Sequence, residues 1–289
     1  LTHQLDQHHT LKAGFEYKYH TLREYNMAEP VKLATKNTHT LLSLYRFADV
    51  RFYGYDLEGN EVDDGDYFDV TRGANGNPTS GFEQQAPYNP IVMSAYLQDK
   101  IEFGDLVLNL GLRYDRIDPN AWQFKNREVN YDDAGNPINT SGMFGGNEIF
   151  DRDDIEDSEV HQFISPRMGV AFPVTENTVF HAQFGKFYQS PNLNDLYLSP
   201  FFLDSWVNRG GYFVTLDNPN LEPPKTTSYE VGFKQRLGDV AALRLTAFYK
   251  ETEGLVQVIP VQTDVTEIAF TENGDFGVIK GLDVMLTIT

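Results

Sequence analysis

Eight segments of this chain alternate apolar and polar residues one by one, and this pattern limits the folds that the chain can adopt. In the clearest segment the apolar positions are Leu11, Ala13, Phe15, Tyr17 and Tyr19. The polar positions between them and just beyond are Lys12, Gly14, Glu16, Lys18 and His20. Because successive side chains of a β-strand point to opposite faces, a period of two predicts strands with two unlike faces. The sequence therefore predicts an all-β fold.

The segments are long for strands of a soluble protein. Each has about 10 to 13 residues, whereas strands in globular proteins most often have about five or six. A tilted strand needs about 9–11 residues to cross a bilayer. The mean hydropathy of −0.43 does not oppose a membrane location, because only one face of such a strand is apolar. The length of the segments therefore indicates membrane-spanning strands.

The connections between the segments alternate in length. The short ones are turns at Gly104–Asp105, Pro173–Asn177 and Leu237–Val240. The long polar ones cover about 21–90, 117–161, 189–225 and 253–275. Outer-membrane barrels combine short periplasmic turns with long extracellular loops. We therefore predict a transmembrane, antiparallel, up-and-down β-barrel, of which this chain supplies an incomplete segment of about eight strands with long extracellular loops.

The polar faces of the predicted strands are expected to line the barrel. They carry Arg113, Asp115 and Arg167, which we expect to face the lumen and to form ion pairs across the wall or to material inside it. Glycine recurs on the same face, at Gly14, Gly111, Gly169, Gly185, Gly232 and Gly281. Two explanations stay open: the polar face is concave or packs closely on a body inside the barrel, or lipid contact favours larger side chains, so that glycine collects on the other face.

Composition argues against several functions. The formal charge of −19 does not suit a protein that contacts nucleic-acid phosphates, and the absence of cysteine excludes disulfide scaffolds and thiol chemistry. The histidines lack metal-ligand spacing, and His8 and His9 fall at a predicted solvated turn. No nucleophile elbow or phosphate loop occurs. We predict no catalytic residue, no metal, no cofactor and no enzymatic activity.

An aromatic-rich stretch in the third long connection is the candidate for ligand contact. Its members are Tyr197, Phe201, Phe202, Trp206 and Tyr212. Apolar groups on a polar extracellular loop need a reason. One is a stacking surface for a ligand at the barrel mouth, and the other is packing of the loop onto itself or the rim. Acidic clusters at 63–66 and 151–159 suit either bridging divalent ions or simple solvation.

Four stretches resemble hairpins and strands of TonB-dependent receptors, in the order of that family. They are SAYLQDKIEFGDLVLNLGLRYDRIDP (94–119), ISPRMGVAFPVTENTVFHAQFGKFYQSPNLNDLY (164–197), NPNLEPPKTTSYEVGFKQRLG (218–238) and FGVIKGLDVMLTI (276–288). Two departures are Pro224 and Asp283, which stand where the family commonly has glutamate. The match is closest to receptors with a carboxypeptidase-regulatory-like extension, the Oar-like group.

The resemblance implies a 22-stranded barrel filled by an N-terminal plug that contacts the TonB protein. We accordingly expect residues 1–289 to be part of one barrel domain in the outer membrane of a bacterium, with the plug and the C-terminal strands outside the chain. The expected partners are outer-membrane lipid and lipopolysaccharide, TonB through the plug, and a small solute. Siderophores, cobalamins, glycans and peptides are the solute classes that the resemblance allows.

Three other functions stay open. A passive porin-like channel would have no plug, and an Oar-like barrel would serve protein secretion or signalling. A soluble all-β binding module would bury its apolar faces in a sandwich core. The last alternative predicts that Leu106, Leu108, Leu110 and Leu112 pack against a second sheet, whereas a membrane barrel leaves them facing outward.

Overall fold

One antiparallel sheet forms most of the molecule. The computed structural model describes residues 1–27, 50–74, 76, 78–138, 150–207, 215–262 and 267–288. Its long strands are β1 His9–Tyr19, β2 Ile91–Phe103, β3 Leu106–Asp118, β4 His161–Thr175, β5 Thr178–Tyr188, β6 Lys225–Leu237, β7 Ala241–Gln262 and β8 Glu267–Ile288. Each pairs with the next along the chain. The predicted up-and-down order of eight strands is confirmed.

The sheet has two ends within the part of the chain that the structure describes. A short strand at Thr2–Gln4 pairs with β1, and β8 forms the other side, so these residues make an open wall and not a closed ring. No described helix is long and apolar enough to cross a membrane. The described α-helix, α1, is Pro200–Val207. It begins at a proline, a residue that suits the first helical position.

Tight turns join the strands at one end of the wall. Gly104 and Gly238 lie in two of them with φ of 57° and 64°, a backbone conformation that glycine adopts without a Cβ clash. The turn predicted at 173–177 is tighter than expected, because β4 continues through Pro173 to Thr175. The ladder between β4 and β5 is irregular beyond Pro173, which has no N–H to donate.

The prediction of a long polar loop at 253–275 is wrong, because most of these residues belong to two paired strands. β7 and β8 have 22 residues each. They stay paired along their whole length, from the pair of Ala241 with Ile288 to the pair of Gln262 with Glu267. β6 ends its pairing with β7 at Glu253, so the hairpin projects beyond its neighbour. An irregularity beside Gly254, whose φ is 72°, interrupts the alternation of side chains. The fourth long connection is therefore mostly a β-hairpin.

The two faces of the wall differ as predicted. On the apolar face Leu110 and Leu112 are exposed, the latter by 53%, and Leu106 and Leu108 are half-buried. The described residues place no second sheet over this face. On the polar face Ser165 is only 2% exposed, and the larger Arg113 is its neighbour in register on β3. This arrangement favours a membrane barrel over a sandwich.

One pair of titratable residues interrupts the apolar face. Asp99 lies there between Leu11 on β1 and Leu110 on β3, its partners in register. His9, which we predicted to lie in a solvated turn, begins β1, and its Nδ1 is 2.7 Å from the Oδ2 of Asp99. The histidine thus gives a partner to one oxygen of a carboxylate that the alternation marks as out of place, while Asp99 Oδ1 is buried without a partner among the described residues.

Short elements lie in the first three long connections, at the end of the wall opposite the tight turns. The short strands are Glu24–Met27, Val50–Tyr53, Tyr55–Asp56, Thr71–Arg72, Pro78–Ser80, Gln84–Gln85, Trp122–Phe124, Asn130–Tyr131, Pro137–Ile138, Ile155–Asp157 and Thr215–Leu216. Single 3-10 turns occur at Tyr67–Asp69, Arg152–Asp154 and Leu193–Asp195. With the tip of the β7–β8 hairpin, these connections form what we call the loop layer.

Candidate functional site

Arg113 and Asp115 form an ion pair on the polar face. The Nε of Arg113 donates to both carboxylate oxygens of Asp115, at 3.0 and 2.9 Å, and its Nη2 donates to Oδ1 at 2.8 Å. Both residues belong to β3 and are two positions apart, so they share a face. This ion pair runs along one strand, whereas the predicted pairs run across the wall or to material inside it, and those pairs stay a prediction.

Arg167 stands on the same face without such a partner. In the described part of the chain no carboxylate lies within ion-pair distance of it, and no hydrogen bond of its guanidinium is found. Its guanidinium carbon lies 4.6 Å from the centre of the Phe187 ring, a cation–π contact. Gly111 and Gly185 are its neighbours in register on either side.

The glycines of the polar face make room for side chains of the same face. A Cβ on Gly232 would overlap the carbonyl oxygen of Leu245 and lie 2.8 Å from the His181 ring. A Cβ on Gly281 would lie 2.6 Å from the Phe248 ring. Close packing within the wall therefore accounts for these positions.

Two other glycines leave space open. Gly111 and Gly169 lie in a shallow depression of the polar face, and the nearest atoms to a Cβ on either residue would be 3.8 Å away. Gly185 also borders the depression, but a Cβ there would lie 2.9 Å from the Phe187 ring. The border of the depression carries the polar side chains of Gln98, Asn109, Arg167, Gln183, Ser228 and Glu230, with the ring of Phe187 to one side. Leu110, Met168 and Phe184 also line the depression.

The aromatic stretch lies in the core of the loop layer. Tyr197, Phe201 and Phe202 are all buried, with Phe201 at 0% exposure. The ring centres of Phe201 and Phe52 are 5.1 Å apart, and those of Tyr197 and Tyr88 are 4.7 Å apart.

In both contacts the stretch packs against the first long connection. The side chain of Trp206 and the whole of Tyr212 lie outside the described residues. Ligand contact by the stretch stays a prediction, and for Tyr197, Phe201 and Phe202 it would require the layer to open.

A buried carboxylate joins three of the connections. Asp204 on α1 accepts hydrogen bonds from the Tyr67 hydroxyl and from Arg72 Nη1, the latter at 3.0 Å. Arg72 Nη2 donates to the carbonyl of Phe150 at 2.8 Å. Asp204 is fully buried. Sequence analysis missed this group, although an acidic residue inside the apolar run FFLDSWV is a signal for a buried, partnered carboxylate.

Arg127 joins the second connection to the third and to the hairpin. It donates to Glu272 Oε1 at 2.9 Å and to the carbonyls of Leu216, Asp217 and Thr271 at 3.1, 2.9 and 3.0 Å. Burial lowers the pKa of Arg127, and the charge of Glu272 opposes that shift. Nothing in its sequence neighbourhood distinguishes Arg127 from an ordinary surface arginine.

Two acids of the loop layer have raised pKa values. Burial raises the pKa of Asp217 to about 7, although Arg51 and Arg127 favour its charged form. Burial also raises the pKa of Asp154 to about 6. Both groups therefore titrate close to neutral pH, unlike an exposed aspartate.

Members of the predicted acidic clusters take part in packing between connections. Arg152 Nη2 bridges Asp66 and Asp69, at 2.6 and 3.0 Å. Within the first connection, Arg23 pairs with Asp63 at 2.5 Å. Within the described ranges, no group of three histidine or acidic side chains could hold a metal ion. The structure thus gives these acids a role in joining loops.

The geometry agrees with comparisons to known proteins. A family model described as TonB dependent receptor-like, beta-barrel, matches residues 1–289. No curated protein sequence matches the chain.

Solved structures share the fold. A double mutant of the Serratia marcescens hemophore receptor HasR, in complex with HasA and heme, has a TM-score of 0.52 and 15% identity, over 100% of this chain and 38% of HasR. A mutant of the Pseudomonas aeruginosa ferric enterobactin receptor PfeA, in complex with enterobactin, has a TM-score of 0.52 and 17% identity, over 98% of this chain and 31% of PfeA. The FrpB iron transporter of Neisseria meningitidis has a TM-score of 0.50 and 13% identity, over 100% of this chain and 32% of FrpB. The chain spans about a third of the length of these structures.

Proposed function

The chain belongs to the TonB-dependent receptor β-barrel family, and from this premise we propose that it serves the energy-coupled uptake of a scarce solute. Members of the family are receptors and transporters of the Gram-negative outer membrane, and this chain is an outer-membrane receptor barrel. We assign it no catalytic role. In the proposed arrangement the apolar face contacts lipid, the polar face with Arg113, Asp115 and Arg167 lines the lumen, and the loop layer lies outside the cell.

The ordered loop layer is the observation that carries this proposal. Four connections share hydrophobic cores and are joined by the buried groups of Asp204 and Arg127. A layer built in this way presents a defined surface at the barrel mouth, which suits selective capture of a dilute solute. A passive channel needs no such selectivity.

The solute and the coupling are further parts of the proposal. Siderophores, cobalamins, glycans and peptides are the classes to test, and coupling would use the TonB protein through a plug domain. The solved relatives are a hemophore receptor, a ferric enterobactin receptor and an iron transporter by their names. We therefore place ferric siderophores and heme compounds first in the test.

The full-length protein, expressed in the outer membrane of hosts with and without TonB, tests the proposal. We expect uptake of one solute class that is lost without TonB, and binding of the same solute to the purified receptor by titration calorimetry. Equal uptake with and without TonB would support a passive channel. A change in the secreted proteins, with no solute bound or imported, would support the Oar-like alternative.

A further inference from the structure

The negative charge of the chain lies in the parts that contribute to the loop layer. Residues 20–90, 119–160, 189–224 and 254–275 hold 29 of the 42 acidic residues but only 10 of the 23 lysines and arginines. The remaining residues, which form the wall and its tight turns, have 13 of each. The formal charge of −19 is therefore the charge of these four ranges, and the wall is neutral overall.

The exposed charges of the loop layer are almost all negative. In the part of the four ranges that the structure describes, 15 acidic residues are exposed, whereas the exposed bases are Lys125 and Arg152. The exposed acids come from all four ranges, so the excess covers the layer and is not one local cluster. A surface with charges of one sign attracts ions of the opposite sign and speeds their capture.

The cations of the layer already contact groups of the layer. Those within the described ranges are Arg23, Arg51, Arg72, Lys125, Arg127 and Arg152. Four of these, all arginines, pair with carboxylates of the layer. The guanidinium carbon of Arg51 lies 4.1 Å from the centre of the buried Phe202 ring, and Lys125 donates to the carbonyl of Asp153 at 2.8 Å.

The state of these cations decides which charge a solute can bring to the layer. An anion gains most from arginine or lysine donors, and here it would have to displace a contact that holds the layer together. Displacement at Arg72 would leave the fully buried Asp204 without its cation. A cationic solute meets no such obstacle, because exposed acids such as Asp133 and Glu159 have no side-chain partner among the described residues.

We propose that the solute of this receptor carries net positive charge at neutral pH, and that the loop layer selects it against anions. This inference rests on the proposed function for the existence of an imported solute. It narrows the classes named above, because ferric chelates and peptides with an excess of ammonium groups are favoured over heme and over anionic ferric siderophores. The charge of the layer as a whole, and not one group, is the basis of the selection.

The selection by charge is measured on the full-length receptor in a neutral detergent, with a cationic and an anionic methanethiosulfonate. Ala134→Cys places a thiol on an exposed turn of the second connection, and the matched control Asn177→Cys places one on a tight turn at the opposite end of the wall. Cysteines outside residues 1–289 are replaced by serine in both variants. At about 20 mM salt we expect the ratio of cationic to anionic reaction rates to be about ten-fold higher at 134 than at 177, and to approach the control in about 0.5 M salt. Equal ratios at the two sites would overturn the proposal.

The solute class is tested with one ferric trihydroxamate chelate whose terminal amine is free, acetylated or succinylated. These three forms are cationic, neutral and anionic around the same iron centre. We expect TonB-dependent uptake of the cationic form to be about ten-fold faster than that of the anionic form. If the receptor imports none of the three, the net charge of the solute that it does import must be positive.

Preference for the succinylated form, or import of an anionic solute, would overturn the proposal. Failure of the proposed function gives a different result: no solute is then imported, with or without TonB, whereas the thiol ratio still shows whether the layer selects cations.

Discussion

Asp217 is a residue through which pH should act on the loop layer. Its folded pKa of about 7 exceeds the ordinary value of 3.8, because burial disfavours the charged carboxylate. Asp195 and Glu24 add to that shift, while Arg51 and Arg127 reduce it. Between these two pKa values the folded layer binds more protons than the unfolded one. Its stability therefore falls as the pH rises from about 4 to about 7 and is constant above that range.

Asp217→Asn should remove this pH dependence. Above pH 7 the variant layer should be more stable than the parent by roughly 1–3 kcal/mol, because no buried charge has to form. Hydrogen exchange of residues 215–222 between pH 5 and pH 8.5, corrected for intrinsic rates, measures the effect. Asp239→Asn, at an exposed turn on the opposite end of the wall, is the control. An unchanged pH slope in Asp217→Asn would contradict this assignment.

Arg127 provides a second test at the residue scale. A lysine cannot reproduce its four contacts, which need several donors in one plane. Arg127→Lys should destabilise the layer by about 3 kcal/mol, since it leaves buried carbonyls without donors. The measurement is faster hydrogen exchange at 215–217 and 270–272. Arg236→Lys changes an exposed arginine beside a turn and should show no such effect there.

At the scale of elements, the strands could be predicted and their extensions could not. Alternation identified the wall because each face meets a uniform environment, and a period of two then follows from strand geometry. The outer half of the β7–β8 hairpin lies beyond that environment. Its side chains meet water or other loops, and the irregularity at Gly254 shifts the alternation. The alternation of side chains therefore predicts a loop at residues where β7 and β8 remain paired.

Packing between strands predicts unequal effects for glycine substitutions. Gly232→Ala should destabilise the barrel by about 1–3 kcal/mol, because its Cβ would meet the main-chain carbonyl of Leu245 on β7, which cannot move alone. Gly169→Ala should cost little, because the nearest atoms would be 3.8 Å away. Unfolding in denaturant, followed by loss of heat-modifiable mobility, compares the two. Equal midpoints would show that the wall adjusts without strain at Gly232.

At the scale of the whole molecule, the candidate site shows what a single sequence leaves undetermined. The stretch around Phe201 is apolar, and both a ligand surface and a core satisfy that property. Its contact with Phe52 joins residues far apart in the chain, and no local spacing indicates such a contact. Arg113 and Arg167 were placed on one face by alternation alone. Arg113 pairs with Asp115 on its own strand, whereas Arg167 contacts the ring of Phe187 on β5. The second contact depends on the register between strands, which the sequence does not provide.

The orientation of the whole wall in the membrane can be tested by one pair of substitutions on β3. Leu112→Arg places a charge on the apolar face and should cost about 2–4 kcal/mol, because the guanidinium would have to leave water for lipid. Asn109→Arg, three residues away on the polar face, should change stability by no more than about 0.5 kcal/mol. Folding of the full-length barrel into lipid vesicles, titrated with denaturant, measures both values. If Asn109→Arg blocked folding while Leu112→Arg was tolerated, the polar face would be the one in contact with lipid, and the lumen assignment of Arg113, Asp115 and Arg167 would be reversed.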